Sequence, residues 1–215
     1  MVKTVSWGIR LMLVLSIPAI VGLCVLAAPI VELIFEHGAF DAESTRKTAG
    51  ALALYAPGIL GYSIVKIVSP SFYSLREART PVIVSVVTIV VNLGLNLWLN
   101  STSLRFYGLA LGTAIAANIN AGLLMYLLSR RLGGGDFRRI LITFAKTCVA
   151  AAVMGVVAYY SEQWLHGVFA HPTMWHRALR VFGAIGAALT ALAGTAYLLR
   201  LEEFRAAMAR VLRRK

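Results

Sequence analysis

A chain of 215 residues that is 59% apolar and only 14% charged, with a mean hydropathy of +0.77, is not built like a soluble domain. Soluble domains carry about a quarter charged residues, and the apolar excess here is more than a domain of this size can enclose. The net charge of +12 suggests nucleic acid, yet the basic residues are scattered between apolar blocks, and no soluble segment carries a basic face.

Six blocks free of charge run through the sequence: Leu11–Val31, Thr48–Val65, Thr80–Leu104, Phe106–Ser129, Thr147–Ser161 (extended upstream past Lys146) and Val181–Leu199. About 20 mostly apolar residues are needed for a helix to cross the hydrocarbon core. Barrel strands would alternate over short segments. These runs are continuous, so each is expected to satisfy its own backbone as a helix. The first run is too long for a signal peptide and has no small-residue cleavage site after it. The expected fold is all-α: a polytopic bundle of six transmembrane helices.

Segment one, about Ile9 to Phe35, contains Pro18, and a kink is expected there. In the outer loop that follows, His37-Gly38 is a helix stop, and Asp41 or Ser44 is a cap for the next helix. Glu36, His37, Asp41 and Glu43 match no metal-ligand spacing and read as solvated loop residues. Segment two, about Thr45 to Tyr73, is broken by Pro57-Gly58 and Pro70 and carries Lys66. Segment three opens at Thr80-Pro81 and places Asn92 and Asn96 on one face. Segment four, about Tyr107 to Leu128, carries Asn118 and Asn120, with Gly112 and Ala116 as a close-packing face.

Between Arg131 and Ile140 lies a glycine-rich linker with an arginine pair at each end. No strand precedes it and no GxxxxGK[ST] pattern is present, so it is not a phosphate loop. In segment five, about Ile140 to Gln163, Lys146 is expected to snorkel to the boundary. Segment six, about Trp175 to Leu199, spaces Gly183, Ala187, Ala191 and Gly186, Thr190, Gly194 for close packing. Trp164, Trp175, Tyr159 and Tyr160 suit the outer boundary. Residues 201–215 read as a basic amphipathic helix on the inner leaflet, or as a solvated basic tail.

With both ends inside, fourteen Lys and Arg fall on the inner side, including Arg76, Arg79, Arg130, Arg131, Arg138 and Arg139. Five fall outside, namely Arg46, Lys47, Arg105, Arg177 and Arg180. This bias sets the expected topology, both termini cytoplasmic. Cys24 and Cys148 lie in apolar blocks and read as packing residues. No HExxH, GxSxG, CxxC or facing carboxylate pair occurs, so neither an enzyme nor a metal or cofactor protein is expected.

Lys66 is the deepest charge, flanked by Tyr62-Ser63 and Ser69-Pro70. An unpaired charge at depth costs about 2.5–3.5 kcal/mol on insertion scales. It therefore either faces a cavity, where it meets an anion, or snorkels to headgroups. Asn92, Asn96 and Asn118 are candidate cavity residues too, with interhelical hydrogen bonding as the alternative.

Leu33-Ile34-Phe35-Glu36-His37-Gly38-Ala39-Phe40 and Leu54-Tyr55-Ala56-Pro57-Gly58 resemble segments of the bacterial MurJ/MviN lipid II flippases. That family belongs to the multidrug/oligosaccharidyl-lipid/polysaccharide exporter superfamily. Val65-Lys66-Ile67-Val68-Ser69-Pro70-Ser71-Phe72-Tyr73-Ser74, followed by Ala78-Arg79-Thr80-Pro81, is similar to the family's lysine-bearing helix and its turn. Gly108 to Ala114 also fits.

The resemblance implies the C-terminal part, helices nine to fourteen, of a fourteen-helix MOP/MATE-like fold. Residues 1–132 would be the last four helices of the second lobe and 133–139 the linker. Residues 140–200 would be two further helices that form a groove for the lipid tail, and 201–215 the tail. The implied activity is movement of undecaprenyl-diphosphate-linked peptidoglycan precursor across the bacterial inner membrane, without covalent chemistry. The implied partners are lipid II, membrane lipids and a missing N-terminal half, with no nucleic acid. Lys66, Asn92, Asn96 and Asn118 are the candidate cavity residues. The family's main charged residues would lie in the absent helices, so the chain is not expected to transport alone. Rival readings are a related polysaccharide-lipid or drug exporter, or a non-transporting membrane remnant.

Overall fold

The computed structural model describes residues 2–38, 40–102, 104–133, 137–168 and 174–204. The 134–136 part of the linker and the tail from 205 onward lie outside the described residues. The helices are α1 (Val2–Val25), α2 (Ala27–Phe35), α3 (Ala42–Tyr55), α4 (Gly58–Ser74), α5 (Arg79–Asn100), α6 (Arg105–Arg131), α7 (Phe137–Val168) and α8 (Met174–Leu198). Six spans among them are long and apolar enough to cross a membrane, with α3 and α4 counted as one. The chain is thus an all-α polytopic membrane bundle, as its apolar blocks require.

The helix interruptions have local causes. α1 continues through Pro18, and the interruption comes at Leu26. Its cause is Pro29, the third residue of α2: with no N–H it leaves the Val25 carbonyl unanswered, while Leu26 and Ile30 keep their bonds to Gly22 and Leu26. Proline costs little in a first helical turn, so the chain stops one helix and restarts another. Pro57 separates α3 from α4 in the same way.

Two compact units form. The first comprises Met1–Ser16 and Leu54–Phe144. Here α4 and α5 pack chiefly on α6. Val68, Phe72 and Leu124 have no exposed surface at all. Lipid gives helices no hydrophobic reason to associate, so packing depends on how closely their backbones approach. Gly61 shows this directly, because a Cβ there would collide with the Ala117 carbonyl oxygen. Gly58, one turn earlier, meets the Ala114 backbone, and Gly112 of α6 meets Asn96 and Leu99 of α5.

The second unit comprises Ile17–Ala53 and Ala145–Lys215. Leu26, Met154, Ala158, Ala184 and Ala188 form one core cluster, and Ala27, Val31 and Ala49 another. The buried stripe of α8 is Arg180, Val181, Ala184, Ala188 and Ala196. Gly186 and Gly194, expected to be packing positions, have no neighbour within 4 Å of an added Cβ. Gly183, on the other expected face, does pack: a Cβ there would stand 3.0 Å from the Leu165 side chain. Lys146, expected to snorkel, donates instead to the Leu199 carbonyl at 3.0 Å and answers the exposed C-terminus of α8.

Candidate functional site

Polarity inside the first unit gathers on α4, α5 and α6. A groove of about 420 Å³ is lined by Tyr62 of α4, by Ser85, Thr88 and Asn92 of α5, by Ala116, Ala117 and Asn120 of α6, and by Ile89 and Leu93. Ser85, Thr88, Asn92 and Asn96 recur at three- and four-residue steps, which places them along one side of α5. Thr88 is buried and returns its hydroxyl to the Val84 carbonyl at 2.7 Å, so its polarity is spent within the helix. The Asn96 amide donates to Asn92 Oδ1 at 2.7 Å, and Asn96 Oδ1, turned to Gly112, is left without a donor. Asn120 Oδ1 is buried and equally unanswered.

Of the four candidate cavity residues, only Asn92 lines this groove. Asn118 lines a separate, more apolar groove of about 400 Å³ with Leu54, Pro57, Leu111, Ala114, Ile115 and Ile119. Its amide donates to the Pro57 carbonyl at 3.0 Å and to Ala114 at 2.8 Å. Pro57 breaks the α3–α4 backbone, and Asn118 donates to the Pro57 carbonyl at that break. Lys66 is exposed on α4 and lines neither groove. It sits one helical turn after Tyr62, on the same side of α4. The structure therefore pairs Asn92 with Asn96 and leaves Lys66 and Asn118 apart from them.

Tyr62, Ser85, Thr88 and Asn120 were not among the candidates. The polar recurrence along α5 was the readable signal for Ser85 and Thr88. Nothing in the sequence shows that Tyr62 and Asn120 would meet them.

The second unit holds a chain of alternating charge that the sequence reading missed altogether. Glu162 of α7 meets Arg180 of α8 at 2.7 Å, and Arg180 lies 3.8 Å from Glu32 of α2. Glu32 meets Arg177 at 3.3 Å, and Arg177 reaches the Glu36 carboxylate and carbonyl, both at 3.3 Å. Glu36 in turn accepts from the Thr45 hydroxyl of α3 at 2.9 Å. Glu36 is therefore not a solvated loop residue but the end of an ionic chain. The signals were Glu32 and Glu36 four apart, and Arg177 and Arg180 three apart, at ends of apolar segments. Asp41 is the cap of α3: its carboxylate accepts the Ser44 N–H at 2.9 Å, which holds its pKa below the usual carboxylate range. Among the described residues no group of three or more His, Cys, Asp or Glu is placed to hold a metal ion.

The architecture is that of a polytopic helical membrane protein with grooves opening between its spans. The comparisons then give the family. The model of the family described as "Lipid II flippase MurJ" matches residues 1–178, and the chain belongs to that family. Relatives named "Probable lipid II flippase MurJ" include one from Haemophilus influenzae, 31% identical over 191 residues, 85% of this chain and 36% of that protein. Another, from Vibrio cholerae, is 32% identical over 213 residues, 95% of this chain and 39% of that protein. A third, from Rickettsia prowazekii, is 39% identical over 117 residues, 54% of this chain and 23% of that protein. The chain thus spans less than two fifths of the length of each of these relatives. A solved structure described as lipid II flippase MurJ in its inward closed conformation shares the fold, with a TM-score of 0.68 and 22% identity. It covers 92% of this chain, which covers 42% of it.

Proposed function

We propose that the chain works as part of a flippase that moves lipid II, the undecaprenyl-diphosphate-linked peptidoglycan precursor, across the bacterial inner membrane. The observation that carries this is the family match over residues 1–178, which includes α1 to α7 and both grooves of the first unit. The chain spans only part of its relatives' length, and we read it as the C-terminal part, helices nine to fourteen. On that reading residues 1–132 complete the second lobe, 133–139 link it, 140–200 form the added pair that takes the lipid tail, and 201–215 are a cytoplasmic tail. Both termini lie in the cytoplasm, as the basic bias requires. Lys66, Asn92, Asn96 and Asn118 remain the candidate cavity residues, and Asn92 has the strongest support because it opens into a groove. Lipid II is the substrate, and the N-terminal half of a family member is the partner. Alternating access needs both halves of the cavity.

The test is complementation of cells depleted of their own flippase. The chain joined to the N-terminal portion of a relative should restore growth and lipid II translocation, and the chain alone should not. Rescue by the chain alone would overturn the partial-transporter reading. Failure of the joined protein at normal membrane levels would overturn the flippase assignment.

A further inference from the structure

Among the described residues only two other than glycine have a positive φ: Arg76 at 60° and Arg200 at 51°. Both close a membrane helix. At the end of α4, Arg76 N–H donates to the Tyr73 carbonyl at 3.0 Å, and Glu77 N–H reaches back to Phe72 at 3.0 Å. This is the terminal pattern in which glycine is favoured, because the left-handed conformation costs glycine nothing. Arginine stands there instead, with its side chain exposed.

The surroundings of Arg76 suggest why. Arg79 is exposed three residues on, at the start of α5. The last turn of α6 is drawn to the same turn by the ion pair of Arg131 with Glu77 at 2.9 Å, and it brings exposed Arg130 with it. Four guanidiniums and one carboxylate therefore share the end of three apolar helices. Arg130 lies 5.4 Å over the Tyr126 ring, and Tyr126 and Tyr73 are both more than half exposed. Exposed tyrosine beside arginine at the limit of an apolar span is the composition of a headgroup boundary. Guanidinium recognises phosphate by paired hydrogen bonds.

We propose that the α4–α5 turn and the last turn of α6 form a docking site for the phosphate of an anionic phospholipid, with Arg76, Arg79 and Arg130 as its ligands. Arg131 is occupied by Glu77 and fixes the two turns together. The site requires only that the helices span a bilayer, and it stands apart from the flippase reading.

The test uses the whole chain in nanodiscs of phosphatidylcholine, with or without added phosphatidylglycerol. Phosphatidylglycerol should raise the midpoint of thermal unfolding by about 4 °C or more, and salt should erode the gain. Arg76→Gly should be at least as stable as the wild type in pure phosphatidylcholine, since it relieves the left-handed backbone. It should nevertheless lose most of the phosphatidylglycerol gain. The Arg79→Gln/Arg130→Gln double variant should lose the gain too, whereas Arg46→Gln in α3 should keep it. If Arg76 serves only the helix terminus, its replacement by glycine shifts stability by the same amount in both discs and keeps the full phosphatidylglycerol gain, and the proposal fails. It fails likewise if the double variant keeps the full gain. Inorganic pyrophosphate that reproduces the gain in phosphatidylcholine alone would overturn the lipid as ligand in favour of a soluble anion.

Discussion

Arg180 and Glu162 face each other at 2.7 Å, the arginine side chain 9% exposed and the glutamate 18%. Breaking a buried pair by removing one partner leaves a charge with no answer and costs about 3–5 kcal/mol, whereas replacing both by apolar residues of similar volume is often neutral. Arg180→Met alone, which strands Glu162, is therefore expected to lower stability by about 3 kcal/mol, Glu162→Leu alone by less because Arg180 keeps Glu32 at 3.8 Å, and the Arg180→Met/Glu162→Leu pair to recover most of the larger loss. Reversible unfolding of the four proteins in detergent measures the coupling. Additive losses would show that the two side chains do not depend on each other. Glu36, at the far end of the chain beside Arg177, should matter less, since it has water as an alternative partner.

The close backbone crossing at Gly61 in the first unit predicts the opposite kind of sensitivity. Gly61 has no room for a Cβ against the Ala117 carbonyl, and backbone cannot swing aside as a side chain can. Gly61→Val should cost about 1–3 kcal/mol, the usual range for overpacking, and should push α4 from α6. Gly94→Val, where nothing lies within 4 Å, is the control. Equal unfolding midpoints for the two variants would contradict the crossing as described.

How much of this was legible in the sequence differs by feature. The six spans were readable because the hydrocarbon thickness dictates their length, whatever they pack against. The phase of each helix was not. In a soluble helix the polar face marks the outside, but lipid and core are both apolar here, so the small residues of α8 fit either of two neighbouring stripes. The true stripe is fixed by Arg180, which must meet Glu162, and that pairing joins residues of two different helices. The interruption at Leu26 was not readable for a related reason. Two prolines compete in one apolar run, and only the chain's turn into α2 selects Pro29. Of the candidate site, the α5 polar recurrence was visible, while its meeting with Tyr62 and Asn120 depends on the packing of α4 and α6.

Asp41 gives a pH dependence. Its carboxylate accepts the Ser44 N–H, which lowers its pKa in the folded state. A group with a depressed folded pKa adds stability above its unfolded value, and that stability is lost as pH falls through the folded value. The first turn of α3 should thus be protected near neutral pH and fray below the ordinary carboxylate range. Hydrogen exchange at the Ser44 amide, compared between the wild type and Asp41→Ala, measures it. The difference should vanish in acid, and a difference that persists there would mean that the carboxylate is not the cap.

The proposed topology is checked with single cysteines in a Cys24→Ala/Cys148→Ala background. A cysteine at Ser44 should react with a membrane-impermeant thiol reagent added to intact cells, and one at Gly133 should not. The expectation rests on the excess of Lys and Arg between the spans on the Gly133 side. Labelling at Gly133 and not at Ser44 would invert the protein.

The last prediction concerns Lys66. It is exposed on α4, one turn beyond the Tyr62 that lines the larger groove, and it makes no hydrogen bond or ion pair among the described residues. An ammonium in an apolar span needs water, an anion or the headgroups to answer it. A diphosphate-linked substrate passing the α4 side of the groove would supply the anion, and a long lysine stem reaching the boundary would supply the alternative. The two differ in what charge and shape must do. For a cavity anion, charge matters before geometry, so in the joined full-length protein Lys66→Arg should keep more lipid II translocation than Lys66→Ala. Lys66→Leu should lose roughly tenfold, consistent with about 1.4 kcal/mol of transition-state stabilisation. For snorkelling, all three variants should insert and transport alike once their membrane levels are matched. Unchanged translocation by Lys66→Leu would therefore retire the cavity role and leave Lys66 as a boundary anchor.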